Sequence, residues 1–266
     1  MEKRIGFIGC GNMAKAMIGG IIASELVKAQ NIIASDGYLK ALEDSKEKYG
    51  IAVTQDNKEV VTNSDIVFLA VKPNMYEAVI KEISEVTKQD TIIVTIAPGK
   101  TLAKIGEAFG KEVKVLRTMP NTPALVGAGV TAICPNKNIT KDELELLKSV
   151  IGTFSLVEEI EEKLFDAVVS VSGSSPAYVF MFIEAMADAA VMQGMPRDKA
   201  YRFAAQSVMG SAKMVLETQK HPGELKDMVC SPGGTTIEAV AVLEEKGFRT
   251  AVIEAMKACG EKSSKM

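Results

Sequence analysis

Two segments of this sequence hold residues whose types and spacing suit chemistry. The first is Gly9-Cys10-Gly11-Asn12-Met13-Ala14, which directly follows the apolar run Arg4–Ile8 and opens a helical pattern. In such a G-x-G-x-x-A segment the first glycine permits a tight turn and the second lets a pyrophosphate approach the backbone. The small third residue allows close packing of helix on strand. The helix start then offers unpaired N–H groups and the positive end of its dipole to phosphate. An ordinary tight turn is the plainer reading; the position at the edge of a strand–helix–strand unit favours dinucleotide binding. Asp36 ends the next apolar run, Asn31–Ser35. Its carboxylate suits a ribose 2′-OH and repels a 2′-phosphate, whereas Ser35 and Lys40 nearby suit a phosphate. No arginine stands at that corner, so the residues lean towards NADH.

The second segment is Ser231-Pro232-Gly233-Gly234-Thr235-Thr236, within Lys226–Glu238. Ser-Pro-Gly-Gly reads as a tight loop with exposed amides, and Thr235 with Glu238 reads as a capping box that starts a helix. Free amides at a helix start form an anion site, and capping by Thr235 leaves the Thr236 hydroxyl to face a ligand. A plain helix–loop–helix turn accounts for the same residues equally well. Other candidates carry less. Lys72 before Pro73 reads as a backbone turn, Glu184 and Asp188 as a structural or subunit contact at i,i+4, Arg197 as a helix-start charge and His221 as a surface turn residue. Ser174 and Tyr178 stand close to a helix entry, and nothing in the sequence decides their role.

His221 is the single histidine, and there is no tryptophan. One histidine cannot build a multi-histidine metal site, and imidazole acid–base chemistry is improbable with so few candidates. Cys10, Cys134, Cys230 and Cys259 lack the short spacing of zinc or redox motifs, which predicts a reduced, cytoplasmic chain without a metal. The net charge of −3 gives no reason to expect nucleic acid or an anionic membrane. The start of the sequence enters a strand pattern without the apolar core of a signal peptide. The longest apolar stretch, Ala177–Met192, is interrupted by Glu184 and Asp188 and is not read as a membrane span.

The elements that must position these segments follow from periodicity. The 266 residues, 47% of them hydrophobic, suffice for one large domain or two of ordinary size with a substantial core. Apolar runs at Arg4–Ile8, Asn31–Ser35, Asp65–Val71, Thr91–Ala97 and Val113–Arg117 alternate with amphipathic segments such as Asn12–Val27, Leu39–Tyr49 and Met75–Thr87. That alternation predicts an α/β, parallel, doubly wound sheet covered on both faces. Gly127–Cys134 and Phe154–Val157 read as later strands, flanking a helix opened by the capping box Thr140-Lys141-Asp142-Glu143. Beyond Glu162 strand signals stop, and helices are expected at Leu164–Val171, Pro176–Gln193, Arg197–Thr218, Thr235–Lys246 and Phe248–Ser263. The expected division is residues 1–161, a dinucleotide-binding domain, and 162–266, an all-α domain. Pro176–Gln193 is apolar nearly all round, and Ala204, Ala205, Ser207, Gly210, Ser211 and Ala212 line the next helix. Both features fit packing against a second copy as a homodimer; a central helix in a monomeric bundle is the alternative.

Taken together, Gly9-Cys10-Gly11, Ala70-Val71-Lys72-Pro73, Met119-Pro120-Asn121-Thr122-Pro123, Ser172-Gly173-Ser174-Ser175-Pro176-Ala177-Tyr178 and Ser231–Thr236 resemble pyrroline-5-carboxylate reductases along essentially the whole chain. The resemblance implies reduction of L-Δ1-pyrroline-5-carboxylate, a cyclic imine, to L-proline with NADPH or NADH, the last step of proline biosynthesis. It also implies a Rossmann-type domain followed by a helical dimerisation domain, sometimes assembled into larger complexes. By position it assigns cofactor contacts to Ile8, Gly9, Gly11, Asn12, Met13, Ala14, Ser35, Asp36, Asn57, Ala70, Val71, Lys72, Pro73, Ala97 and Gly99. Substrate contacts fall to Ser231, Gly233, Gly234, Thr235 and Thr236, with Thr236 bonded to the ring nitrogen. Two positions depart from the family pattern. Pro98 replaces the second alanine of Ala-Ala-Gly and removes an N–H donor, and the Asp36 corner is unlike that of members favouring NADPH.

The chemistry itself asks little of side chains. A protonated C=N carbon accepts hydride once donor and acceptor are aligned, so the scarcity of histidine suits imine reduction. A hydroxyl is a poor general acid at neutral pH, so orientation is the expected role of Thr236 above proton donation. The rivals are a β-hydroxyacid dehydrogenase, which needs a helix lysine that Ala177–Gln193 lacks, and a non-catalytic nucleotide sensor.

Overall fold

A computed structural model describes residues 2–265. The chain divides into two compact units, one of residues up to Ser174 together with those from Cys259 onward, the other Ser175–Ala258.

The first unit is built on a single sheet of eight strands: β1 (Ile5–Ile8), β2 (Ile32–Ser35), β3 (Ala52–Thr54), β4 (Ile66–Leu69), β5 (Ile92–Thr95), β6 (Lys114–Met119), β7 (Gly129–Pro135) and β8 (Ser155–Glu159). Their spatial order is β3-β2-β1-β4-β5-β6-β7-β8. β1 and β4 are buried at every residue, as strands covered on both faces must be. The helices between them are α1 (Asn12–Ala23), α2 (Leu39–Tyr49), α3 (Asn57–Thr62), α4 (Tyr76–Ile83), α5 (Leu102–Phe109) and α6 (Lys141–Ile151). α2 stops at Gly50, whose φ of 67° only glycine adopts cheaply, and α6 opens with the expected capping box between Thr140 and Glu143. Two apolar clusters form the core. One holds Phe7, Ile18, Phe68 and Phe154, with the Phe7 and Phe68 rings stacked 4.8 Å apart; the other holds Val60, Leu69, Tyr76 and Phe109.

The structure departs from the expected parallel sheet at one place. β7 runs antiparallel to β6, with Thr118 opposite Ile133, so the sheet is mixed. The β6–β7 link, residues 120–128, contains only the 3-10 turn Thr122–Val126 and is shorter than the dozen or so residues of a parallel crossover. β3, α3 and α5 were not expected at all. α1 ends at Ala23 rather than Val27, because Glu25 takes a left-handed φ of 59° and turns the chain.

After the short α7 (Phe165–Val168) and a π-type turn, the second unit carries α8 (Ser175–Met192), α9 (Arg197–Thr218), α10 (Pro222–Val229), α11 (Thr235–Glu245) and most of α12 (Phe248–Ser263). α10 was also unexpected. It is masked in the sequence by Pro222-Gly223 and is capped by His221, whose Nδ1 accepts from the Gly223 N–H at 3.0 Å. Arg197 at the start of α9 pairs with Asp188 of α8 and lies over the Tyr201 ring.

Candidate active site

The strand order reverses direction at β1, with β2 on one side and β4 on the other. Crevices at the carboxyl ends of strands on such a reversal are where open α/β sheets take ligands. Gly9 sits there with φ 102°; a side chain on it would place Cβ 2.7 Å from the Ala70 carbonyl oxygen. Its N–H donates to the Ser35 carbonyl at 2.7 Å, and the Ala70 N–H donates to the Ile8 carbonyl at 2.8 Å, so the loop is fastened to both neighbouring strands. Gly11 differs: a Cβ built on it meets nothing within 4 Å. As N-cap of α1 it supplies no side-chain acceptor, and the first turn of α1 has no acidic residue. The positive helix end is therefore open towards the cleft, as a pyrophosphate requires.

The cleft has a volume of about 600 Å³, within the range of small-molecule sites. Its walls bring together Ile8, Gly9, Gly11, Asn12, Met13, Ser35, Asp36, Asn57, Ala70, Val71, Lys72, Pro73 and Ala97. Two expected residues lie elsewhere. Ala14 is buried in the core beneath the loop, where its small size serves packing. Gly99 lines a separate hollow with Arg117 and Glu162. Gly37, Met75, Val79, Ile96, Pro98, Thr122 and Leu125 line the cleft without having been anticipated. Thr122 and Pro98 stand in the motif segments of the sequence; Met75, Val79 and Ile96 belong to its periodic runs, and Gly37 and Leu125 carry no local signal. Cys10 points into the core, and its burial pushes the thiol above its ordinary value, so it is no nucleophile. Asn121 is structural: its side chain donates to the Ser172 carbonyl and accepts from the Val130 N–H.

In the second unit Gly234 N–H donates to the Ser231 carbonyl at 3.0 Å, and Gly233 has φ 65°. With proline second and a positive-φ glycine third, Ser231–Gly234 follows the pattern of a type II turn. A Cβ on Gly234 would lie 2.5 Å from Ser231 Oγ. The turn delivers the chain straight into α11 with Gly234 as N-cap, so the expected capping box of Thr235 with Glu238 does not form. Thr235 and Thr236 both belong to the first helical turn, and no side chain caps the helix. Its leading amides remain available to an anion. Among the described residues no cluster of His, Cys, Asp or Glu could hold a metal ion.

Comparison with known proteins supplies the family. The pyrroline-5-carboxylate reductase of Escherichia coli (strain K12) is 56% identical over 269 residues, covering 100% of this chain and 99% of that protein. The chain belongs to the pyrroline-5-carboxylate reductase family. A second reductase of that name, from Methanosarcina acetivorans, is 42% identical across 100% of this chain and 98% of its own length. A family model described as pyrroline-5-carboxylate reductase dimerisation matches residues 162–266, and one described as NADP oxidoreductase, coenzyme F420-dependent, matches residues 4–99. Among solved structures, the pyrroline-5-carboxylate reductase of Coxiella burnetii superposes with a TM-score of 0.91 at 35% identity, covering 100% of this chain and 98% of that one. That of Plasmodium falciparum, solved with NADP bound, gives 0.90 at 32%, covering 99% and 98%.

Within the reductase dimerisation segment α8 packs against α9 and leaves much of its apolar surface exposed. Only Ala187 is buried, while Phe180 is 61%, Met181 68% and Met192 89% exposed. By length and composition the helical run Glu162–Met192 is also apolar enough to cross a membrane. It is interrupted by Asp166, Glu184 and Asp188.

Proposed function

We propose that this chain is a cytoplasmic NAD(P)H-dependent reductase that converts L-Δ1-pyrroline-5-carboxylate to L-proline, the last step of proline biosynthesis. The observation that carries the reading is identity of 56% to a reductase of that name over the whole chain. The cleft fits a dinucleotide on its own geometry: a glycine without a neighbour where backbone must approach phosphate, and an uncapped helix start behind it.

The dihydronicotinamide, when bound, supplies the hydride. The chain binds and orients. Gly9 and Gly11 bring backbone to the pyrophosphate; Ala70–Pro73, after β4, and Ala97, after β5, form the cleft wall further along. The unpaired amides where the Ser231–Gly234 turn enters α11 hold the imine carboxylate, and the Thr236 hydroxyl orients the ring nitrogen. The protonated C=N carbon takes the hydride with its electron pair, and the nitrogen keeps its proton as the ring becomes proline. Phe180, Met181 and their neighbours on α8 are covered by a second copy of the chain in a homodimer, with residues 1–161 as the cofactor-binding domain and 162–266 as the substrate and dimerisation domain.

The test is to mix the purified protein with pyrroline-5-carboxylate and follow NADH and NADPH absorbance separately. Imine-dependent loss of at least one, with proline as product, is expected; consumption of neither overturns the reading.

A further inference from the structure

The corner where β2 enters the cleft decides which dinucleotide fits. Asp36 follows directly on β2, and both of its carboxylate oxygens are anchored: Oδ2 accepts from the Cys10 N–H at 2.7 Å and Oδ1 from the Tyr38 N–H at 2.9 Å. A carboxylate tied at both ends cannot swing aside to admit a second anion. Each oxygen keeps a free lone pair that suits a ribose hydroxyl.

The neighbouring donors are already engaged. Ser35 Oγ–H donates to Asn57 Oδ1 at 2.7 Å, and Asn57 Nδ2 donates to Glu82 at 2.8 Å, which brings a second carboxylate behind the corner. The lysines that the sequence places nearby do not line the corner. Lys40 and Lys15 both pair with Asp44, at 3.0 and 3.7 Å, and neither lines the cleft. The one cationic side chain in the described cleft wall is Lys72, which follows β4, on the far side of β1 from Asp36. A 2′-phosphate, carrying close to two negative charges, would meet an anchored carboxylate with no cation lining the cleft beside it.

We propose that Asp36, held by the Cys10 and Tyr38 amides, makes this enzyme select NADH over NADPH by accepting from the adenosine ribose and excluding its 2′-phosphate. The proposal rests on the dinucleotide reading of the cleft but not on the identity of the imine.

Equilibrium binding tests it without turnover. The native protein is titrated calorimetrically with NADH and NADPH, and with ADP-ribose and its 2′-phosphate, at low and high salt. NADH and ADP-ribose are expected to bind about ten-fold or more tightly than their 2′-phosphorylated counterparts, a gap of about 1.4 kcal/mol or above. The gap should narrow as salt screens Asp36. Asp36→Asn, which keeps an acceptor for one anchoring amide, should shrink the gap at least several-fold, and Asp36→Ser should shrink it further. Equal or tighter NADPH binding by the native protein overturns the proposal, as does a gap that Asp36→Asn leaves unmoved. If neither variant folds, the native ratio and its salt dependence decide alone. Failure to reduce pyrroline-5-carboxylate alongside a clear NADH preference would sink the substrate reading and leave Asp36 standing.

Discussion

The Arg117 guanidinium donates to the Glu162 carboxylate at 2.8 Å and lies 4.2 Å from the centre of the Phe165 ring. The Arg117 side chain is 7% exposed and its Nε has no hydrogen-bond partner, so Glu162 is the one carboxylate paired with its charge among the described residues. Glu162 also accepts from the Leu102 N–H at 2.7 Å, joining the strand β6 to the starts of α5 and α7. Glu162→Ala is expected to cost about 2–4 kcal/mol by stranding a buried cation. Replacing both residues with apolar ones should cost less than that single change. Urea denaturation of the two variants checks the order.

Tyr76 bridges two strands from α4. Its hydroxyl donates to the Leu69 carbonyl at 2.6 Å and accepts from the Ile96 N–H at 3.2 Å. Burial pushes its ionisation well above the ordinary tyrosine value. Because the folded value is raised, the neutral phenol contributes fully below the unfolded value of about 10, and that contribution is lost as pH climbs beyond it. One of the five tyrosines should therefore stay un-ionised in the folded protein where free tyrosine is half titrated. Tyr76→Phe, which strands the Ile96 amide, should cost about 1–2 kcal/mol and flatten that alkaline limb.

The two loop glycines separate stability from binding. Gly9→Ala puts a methyl 2.7 Å from the Ala70 oxygen at φ 102° and should destabilise by about 2 kcal/mol or more. Gly11→Ala meets no protein atom, so melting temperature should hold while NADH affinity falls. Thermal melts beside cofactor titrations of both variants give the answer; a Gly11→Ala protein that binds normally would remove this loop from the cofactor site.

Thr236→Ala should lower turnover at least about ten-fold with little change in dinucleotide affinity, since it touches the imine and not the cofactor. Thr236→Ser, which keeps the hydroxyl, should recover most of the loss. Unchanged steady-state rates in the alanine variant would take Thr236 out of the mechanism.

Phe180→Glu places a charge in the exposed apolar face of α8. The variant should sediment as a monomer at micromolar concentration while the native protein sediments as a dimer, and its first unit should still bind dinucleotide.

Much of this was legible from residues. The Thr140–Glu143 box, the helix Leu39–Tyr49 ended by Gly50, and the glycine loop after β1 are local devices whose chemistry is complete within a few positions. What stayed hidden depends on partners distant in sequence. Apolar runs buried on both faces look alike in either direction, so β7 gave no sign of its reversal except the shortness of the link before it. β3 is a three-residue edge strand with no buried position, too short to show a period. At Ser231–Gly234 the motif is plain in the sequence and its register is not: the turn ends on Gly234, so the helix begins one residue before a Thr235 cap allows. The Asp36 corner was half visible. The carboxylate was evident, whereas its two anchoring amides, and the pairing of Lys40 with Asp44, were not.

The last turn of α12 belongs to the first unit, where Ser263 Oγ donates to Asp166 at 2.6 Å and Cys259 Sγ donates to Ser174. Asp166 and Ser263 are 97 positions apart, and the whole of the second unit lies between them. On the ribosome the sheet can therefore assemble early, but its closing contacts must wait until the entire helical segment has been synthesised. The nascent sheet unit spends that interval with Asp166 unpaired by Ser263 and reaches its final form only after the ribosome has translated past Ser263.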